Sequence, residues 1–197
     1  MADSLYLSLW FADFSLESMF ARALSIMREF PVSQSRPGVT ALAVHPVAWG
    51  EPTILEQRFN PGAQAEEAIS AMAGLSHEDY AYVFEANWDL WTPRESTEEW
   101  ALQPSVVKFI ARGDEFEDGE SKTQGDIQVD FGIDAPFLHE ELQLSGDVES
   151  RVRANVQSLV DFINRVEKNA GTSARLLWSE SDENLAQKLV SRLQKVQ

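Results

Sequence analysis

The chain contains no cysteine. That excludes disulfides, thiolate metal sites and cysteine nucleophiles. Cations are scarce as well: 16 Lys and Arg stand against 32 Asp and Glu, a formal net charge of −16 over 197 residues. A surplus of that sign argues against nucleic acid or an anionic membrane as partner, because cationic side chains hold both. No apolar run approaches the roughly 20 residues a membrane-spanning helix requires. The phosphate-binding patterns G-x-x-x-x-G-K and G-x-G-x-x-G do not occur, and neither does the nucleophile elbow G-x-S-x-G. Asp130-Phe131-Gly132 matches a kinase tripeptide, but no glycine-rich loop or catalytic loop accompanies it.

Apolar residues make up 44% of the chain, enough for a core and too many for a disordered polypeptide. The first ten residues carry an acid and no base, and their apolar and polar residues partly alternate. That is the pattern of a strand and not of a secretory signal, so the expectation is a soluble, cytoplasmic protein.

The charge is concentrated. Residues 76–150 hold 19 acids and 4 bases, whereas residues 151–197 hold 5 acids and 8 bases. An acidic middle third raises solubility and steers a basic partner toward the protein.

Hydrophobic periodicity gives the elements. In residues 4–11, Leu5, Leu7, Leu9 and Phe11 share one face of a strand, with Tyr6, Ser8 and Trp10 on the other. Residues 16–30 switch to helical spacing, with Ser15 as N-cap and Pro31 as stop. Strands are expected at 39–45 and 53–59, and a helix at 64–73. Residues 79–91 alternate most clearly, with Tyr80, Tyr82, Phe84, Ala86, Trp88 and Leu90 on one face. The first 91 residues therefore read β-α-β-β-α-β, the order of the ferredoxin-like split β-α-β arrangement. Beyond them come strands at 105–111 and 126–131, joined by an acidic loop from Gly113 to Gly125. A long amphipathic helix follows at 147–169, then a short strand at 173–178 and a last helix at 182–195. The expected fold is thus α+β, with an antiparallel or mixed sheet. It is one domain over 1–197, with a ferredoxin-like half at 1–91 and a hairpin plus helical extension at 92–197.

Few patterns carry chemistry. His77-Glu78-Asp79 and His139-Glu140-Glu141 place carboxylates beside an imidazole, but neither supplies the second histidine one helical turn along that zinc needs. The run from Asp114 resembles a calcium loop only loosely, since Phe116 falls at its third position and Gly125 at its twelfth. No metal and no cofactor is implied. Glu85 and Asp89 lie on one strand face about 13 Å apart, too far to act as a carboxylate pair. The last helix sets Lys188, Arg192 and Lys195 opposite Leu185 and Leu189. In so acidic a chain those cations are expected to dock on the protein's own acids.

The second face of the first sheet gathers aromatics with carboxylates. Tyr6, Ser8, Trp10, Glu56, Arg58, Glu85, Asn87, Asp89 and Trp91 are expected there, with His45 at its margin. Such a face is either covered by the 147–169 helix or open as a groove, where Trp supplies area and carboxylates orient a cation or hydroxyl groups. Two functions follow. The first is a non-enzymatic, inhibitor- or immunity-like module that engages a basic protein through Glu85, Asp89, Trp91 and the acids Asp114, Glu115, Glu117 and Asp118. The second is a small-molecule-binding protein or hydrolytic enzyme using the Trp and carboxylate face, with Trp10, His45 and Arg58 in the site and His45 or Glu85 as acid–base group. An open sheet edge also leaves room for a homodimer.

Overall fold

The protein is described from a computed structural model over residues 3–94, 99–138, 146–180, 185 and 188–190. The chain runs β1 (Ser4–Trp10), α1 (Leu16–Glu29), β2 (Val39–Pro46), β3 (Leu55–Ala63), α2 (Ala65–Met72), β4 (Tyr80–Pro93) and β5 (Trp100–Arg112). A 3-10 turn (Phe116–Asp118) and α3 (Ser121–Gln124) precede β6 (Ile127–Ile133). Then come α4 (Ala135–Leu138), α5 (Gly146–Asn169) and β7 (Ala174–Ser179). The helix expected over 182–195 lies mostly outside the described residues, although Leu185 and Leu189 are described and buried. The His139-Glu140-Glu141 run lies wholly outside them.

Seven strands form one sheet in the order β3-β2-β4-β5-β6-β1-β7, and every neighbouring pair is antiparallel. The expected α+β class and antiparallel sheet hold, and the first six elements come in the expected order. The strand order is not the ferredoxin-like one. A split β-α-β arrangement pairs the first strand within the first four, whereas β1 lies between β6 and β7. The cause is the second half of the chain. β4 and β5 form a hairpin paired from Ala81 with Arg112 to Pro93 with Trp100, and β6 continues it. These strands separate β1 from β2, so α1 bridges the gap between them.

Alternation sorts the side chains by face. Leu5, Leu7 and Leu9 of β1, Phe84 and Trp88 of β4, Phe109 of β5, and Val129 and Phe131 of β6 join one core. Three helices close over that face. α1 contributes Met19, Ala23 and Ile26, α2 contributes Ala68 and Met72, and α5 contributes Val156, Leu159, Phe162 and Val166. Phe30, at the end of α1, packs its ring against Trp88, Phe109 and Phe162 at 5.6, 5.1 and 5.5 Å. Aromatic contacts of this kind add about 0.5–1.5 kcal/mol each beyond area burial. The long helix therefore covers the apolar face, and the polar face is left to other occupants.

Candidate functional site

The polar face is organised in rows, because antiparallel pairing places directly opposed residues side by side across the sheet. One row runs Arg58, Ala41, Glu85, Lys108, Asp130, Tyr6, Trp178 from β3 to β7. Lys108 thus stands between two carboxylates, the favourable cross-strand order. The next row is Ala43, Val83, Ile110, Gln128, Ser8, mostly small or apolar. A third row brings His45, Ala81 and Arg112 together. Short side chains in the middle row, flanked by long ones on either side, leave a groove of about 520 Å³ across the strands. That volume lies within the range of sites for small molecules.

The insertion between β5 and β6 builds one wall. The acidic loop from Gly113 to Gly125 is anchored rather than free, since Phe116 is fully buried within it. Two glycines allow this. At Gly113 a Cβ would meet the Glu78 carbonyl, and Gly125, with φ +98°, brings α3 against the backbone of Leu9. Glu117, Asp118 and Gly119 are all at positive φ, which turns the insertion back on itself.

The insertion and the β2–β3 loop hold each other. The Glu117 N–H donates to Val47 O at 2.8 Å, and the Trp49 N–H donates to Glu117 Oε2 at 2.7 Å. The Trp49 indole Nε1 donates to Glu120 Oε2 at 3.0 Å. Val47 adopts φ +61° as Ala48 N–H bonds back to Pro46 O, a γ-turn that disfavours a β-branched residue. Strain of this type costs about 1–3 kcal/mol and persists only where surrounding contacts enforce it. Its effect is to lay Trp49 over the end of the groove, edge-on to His45 at 4.9 Å and across the Arg112 guanidinium at 5.7 Å.

Arg112 is the centre of this wall. Its residue is 2% exposed. Nε donates to Glu120 Oε2 at 2.8 Å and Nη2 to Gln128 Oε1 at 2.7 Å. Gln128 is itself oriented by donating to Gln124 Oε1 at 3.2 Å. Nη1 is buried and has no hydrogen-bond partner among the described residues. An unsatisfied buried donor costs about 1–3 kcal/mol, more when charged. Burial pulls the Arg112 pKa below its ordinary value, and Glu120 opposes that shift. His45 Nδ1 is also buried without a partner among the described residues. Burial lowers the His45 pKa, opposed by Glu56, so the imidazole enters the neutral range uncharged.

At the far end Tyr6 and Trp178 stack with centroids 4.6 Å apart. Trp178 Nε1 donates to Ser8 Oγ at 3.0 Å, which fixes the ring on the groove floor. Burial raises the Tyr6 pKa, and the charges of Asp130 and Glu180 push it the same way. Taken together, the lining carries Glu85, Glu120, Asp130 and Glu180 against Lys108 and Arg112.

Of the residues expected on this face, the groove brings together Tyr6, His45 and Glu85. Arg58 shares a row with Glu85 but is exposed on β3, beyond Ala41. Trp10 lies at the end of β1 and donates its indole N–H to Ser121 O, holding α3. Asp89 accepts from Ser33 Oγ at 2.6 Å and from Gln34 N–H at 3.0 Å, which ties down the 31–38 segment. Trp91 is half-buried with Arg151 over its ring at 5.1 Å. Glu117 anchors Trp49, while Asp114, Glu115 and Asp118 are exposed on the insertion.

Periodicity assigned no functional role to Arg112, Lys108, Asp130 and Trp178, which the groove adds to the expected residues. One signal was legible: Lys108 and Arg112 share the outward parity of β5, and Arg112 immediately precedes the glycine-bounded acids that include Glu120.

A smaller cavity of about 310 Å³ lies among α1, α2 and the sheet, lined by Met27, Phe30, Val39 and Phe109. Its charged groups, Arg28 and Glu66, bind each other at 2.8 Å. Among the described residues no cluster of His, Asp and Glu is placed to hold a metal ion, and no helix is long and apolar enough to cross a membrane. The chain matches no family profile, no curated protein and no solved structure, so the groove is read from its own geometry.

Proposed function

We propose that the protein is a small-molecule-binding protein whose ligand lies across the polar sheet face, between the Trp49 and Arg112 wall and the Tyr6 and Trp178 stack. The observation that carries this reading is Arg112 Nη1: a buried cationic donor, fixed by its two sister nitrogens and left unsatisfied beside a 520 Å³ groove. A ligand oxygen supplies the missing acceptor and removes the desolvation cost. The aromatic groups at both ends add stacking area.

The test is a fragment titration read through the indole N–H resonances. Groove ligands are expected to shift Trp49 and Trp178 and to leave Trp88, buried on the helical side, unchanged. A fragment collection that moves neither Trp49 nor Trp178 rejects the reading.

A second reading, engagement of a basic protein, is favoured by the exposed Asp114, Glu115 and Asp118 on the insertion that walls the groove. Under it, replacing these three by their amides weakens binding of a Lys-rich probe peptide at about 0.15 M salt, where distant charges are screened. Equal affinity in the two proteins eliminates it.

A further inference from the structure

The two ends of the groove differ in chemistry, and the difference identifies a ligand class. At one end the pair Arg112–Glu120 is balanced in charge, His45 is uncharged, and the unmet need is an acceptor for Nη1. On the other side Lys108 stands between Glu85 and Asp130 in its row, and Glu180 lies 3.5 Å from the hydroxyl of Tyr6, whose ring stacks on Trp178. Surplus carboxylates next to aromatic faces suit an organic cation. The guanidinium reaches back to Gln128, whose Oε1 accepts from Nη2 at 2.7 Å, and Gln128 lies two residues and one strand from Tyr6, roughly 7 Å along and about 5 Å across. A ligand that meets both ends is therefore elongated.

We infer that the groove takes an elongated organic cation carrying a carbonyl or carboxylate oxygen, the oxygen at Arg112 Nη1 and the cation beside Tyr6, Trp178, Asp130 and Glu180. This rests on the reading that the groove binds a small molecule. The net charge of −16 concentrates such cations near the protein. Glu120 Oε2 takes both Nε and the Trp49 indole, and no hydrogen bond joins Glu120 to Nη1.

Four probes of matched length test the assignment on the full chain. They are 6-aminohexanoate, 6-aminohexanamide, hexylamine and hexanoate, titrated at about 0.15 M salt to screen non-specific attraction. The indole signals of Trp49 and Trp178 report the two ends separately. An amino-terminated probe with an oxygen is expected to move both indoles, and the acid and amide arms tell which oxygen is preferred. Hexylamine lacks the oxygen and is expected to bind about tenfold more weakly, the loss of one hydrogen bond to a charged group. Hexanoate lacks the cation and is expected to move Trp49 alone. Glu180→Gln, at an exposed position that leaves the Arg112 wall intact, is expected to weaken 6-aminohexanoate several-fold. Hexylamine binding as tightly as 6-aminohexanoate, or Glu180→Gln binding it unchanged, overturns the inference. If neutral fragments move the two indoles and none of the four probes does, this inference fails while the groove remains a ligand site. If nothing moves them, both fail.

Discussion

Tyr82 and Arg112 are both buried polar side chains, and they illustrate opposite outcomes for a hydrogen-bonding group taken out of water. The Tyr82 hydroxyl donates to Leu75 O at 2.7 Å and accepts from the His77 N–H at 2.8 Å, so it is satisfied. Arg112 is satisfied at two nitrogens and not at the third. The first arrangement is structural, since it pins the turn before β4. The second leaves a donor for something else. Burial pushes the Tyr82 phenol up to about 12 from 10.0. In the unfolded chain the phenol ionises first, so its contribution to stability is complete below pH 10 and is lost as the pH rises toward 12. Tyr82→Phe is expected to be less stable at neutral pH by about 1–3 kcal/mol, because a carbonyl and an N–H lose their partner. Its stability gap from the parent is expected to narrow between pH 10 and 12. A gap that stays constant across that interval in denaturant titrations would refute the assignment.

At the scale of elements, α5 and β4 show how sequence period and tertiary contact divide the work. The apolar positions Val152, Val156, Leu159, Phe162, Ile163 and Val166 recur at helical spacing and are buried as that spacing requires. Asn155 interrupts the pattern, being only 2% exposed. Its Oδ1 accepts from the Trp91 N–H at 2.9 Å, and its Nδ2 donates to Trp91 O at 2.8 Å and Pro136 O at 2.9 Å. The amide thus acts as a neighbouring strand at the point where β2 has ended, and it joins α5, β4 and α4. Asn155→Leu preserves volume but leaves three backbone groups without partners, so it is expected to destabilise by about 3 kcal/mol. Urea midpoints for the two proteins check this, and a difference under about 0.5 kcal/mol would show that the amide is not a tie. The insertion between β5 and β6 makes the same point in reverse. Its acids read as an acidic loop, yet Glu117 and Glu120 hold Trp49 from the distant β2–β3 loop, and Glu120 also holds Arg112 at the end of β5.

Over the whole molecule, the charge of −16 is a collective property that no single pair relieves. Its self-repulsion opposes the compact state and is screened by salt. Raising salt from a few millimolar to about 0.2 M is expected to stabilise the fold by about 1 kcal/mol, a rise of about 2–4 °C in Tm. A fall in Tm under calorimetry would instead mean that attractive ion pairs outweigh the repulsion.

What the sequence determined by itself is local: the period-two faces of β1 and β4, the helical stripe of α5, the Ser15 cap of α1 and the absence of thiol chemistry. Each follows from residues within a few positions of one another, where backbone geometry alone dictates which side chains share a face. The tertiary structure decided the strand order and the groove. β1 lies between β6 and β7 because the hairpin chain of β4, β5 and β6 pairs continuously and separates it from β2. The groove floor takes Ala43, Val83, Ile110 and Gln128 from four strands, and its unsatisfied guanidinium depends on partners at 120 and 128. Side-chain period fixes the face a residue occupies. Which residues lie beside it across the sheet is set by long-range pairing, and that pairing assembles the candidate site.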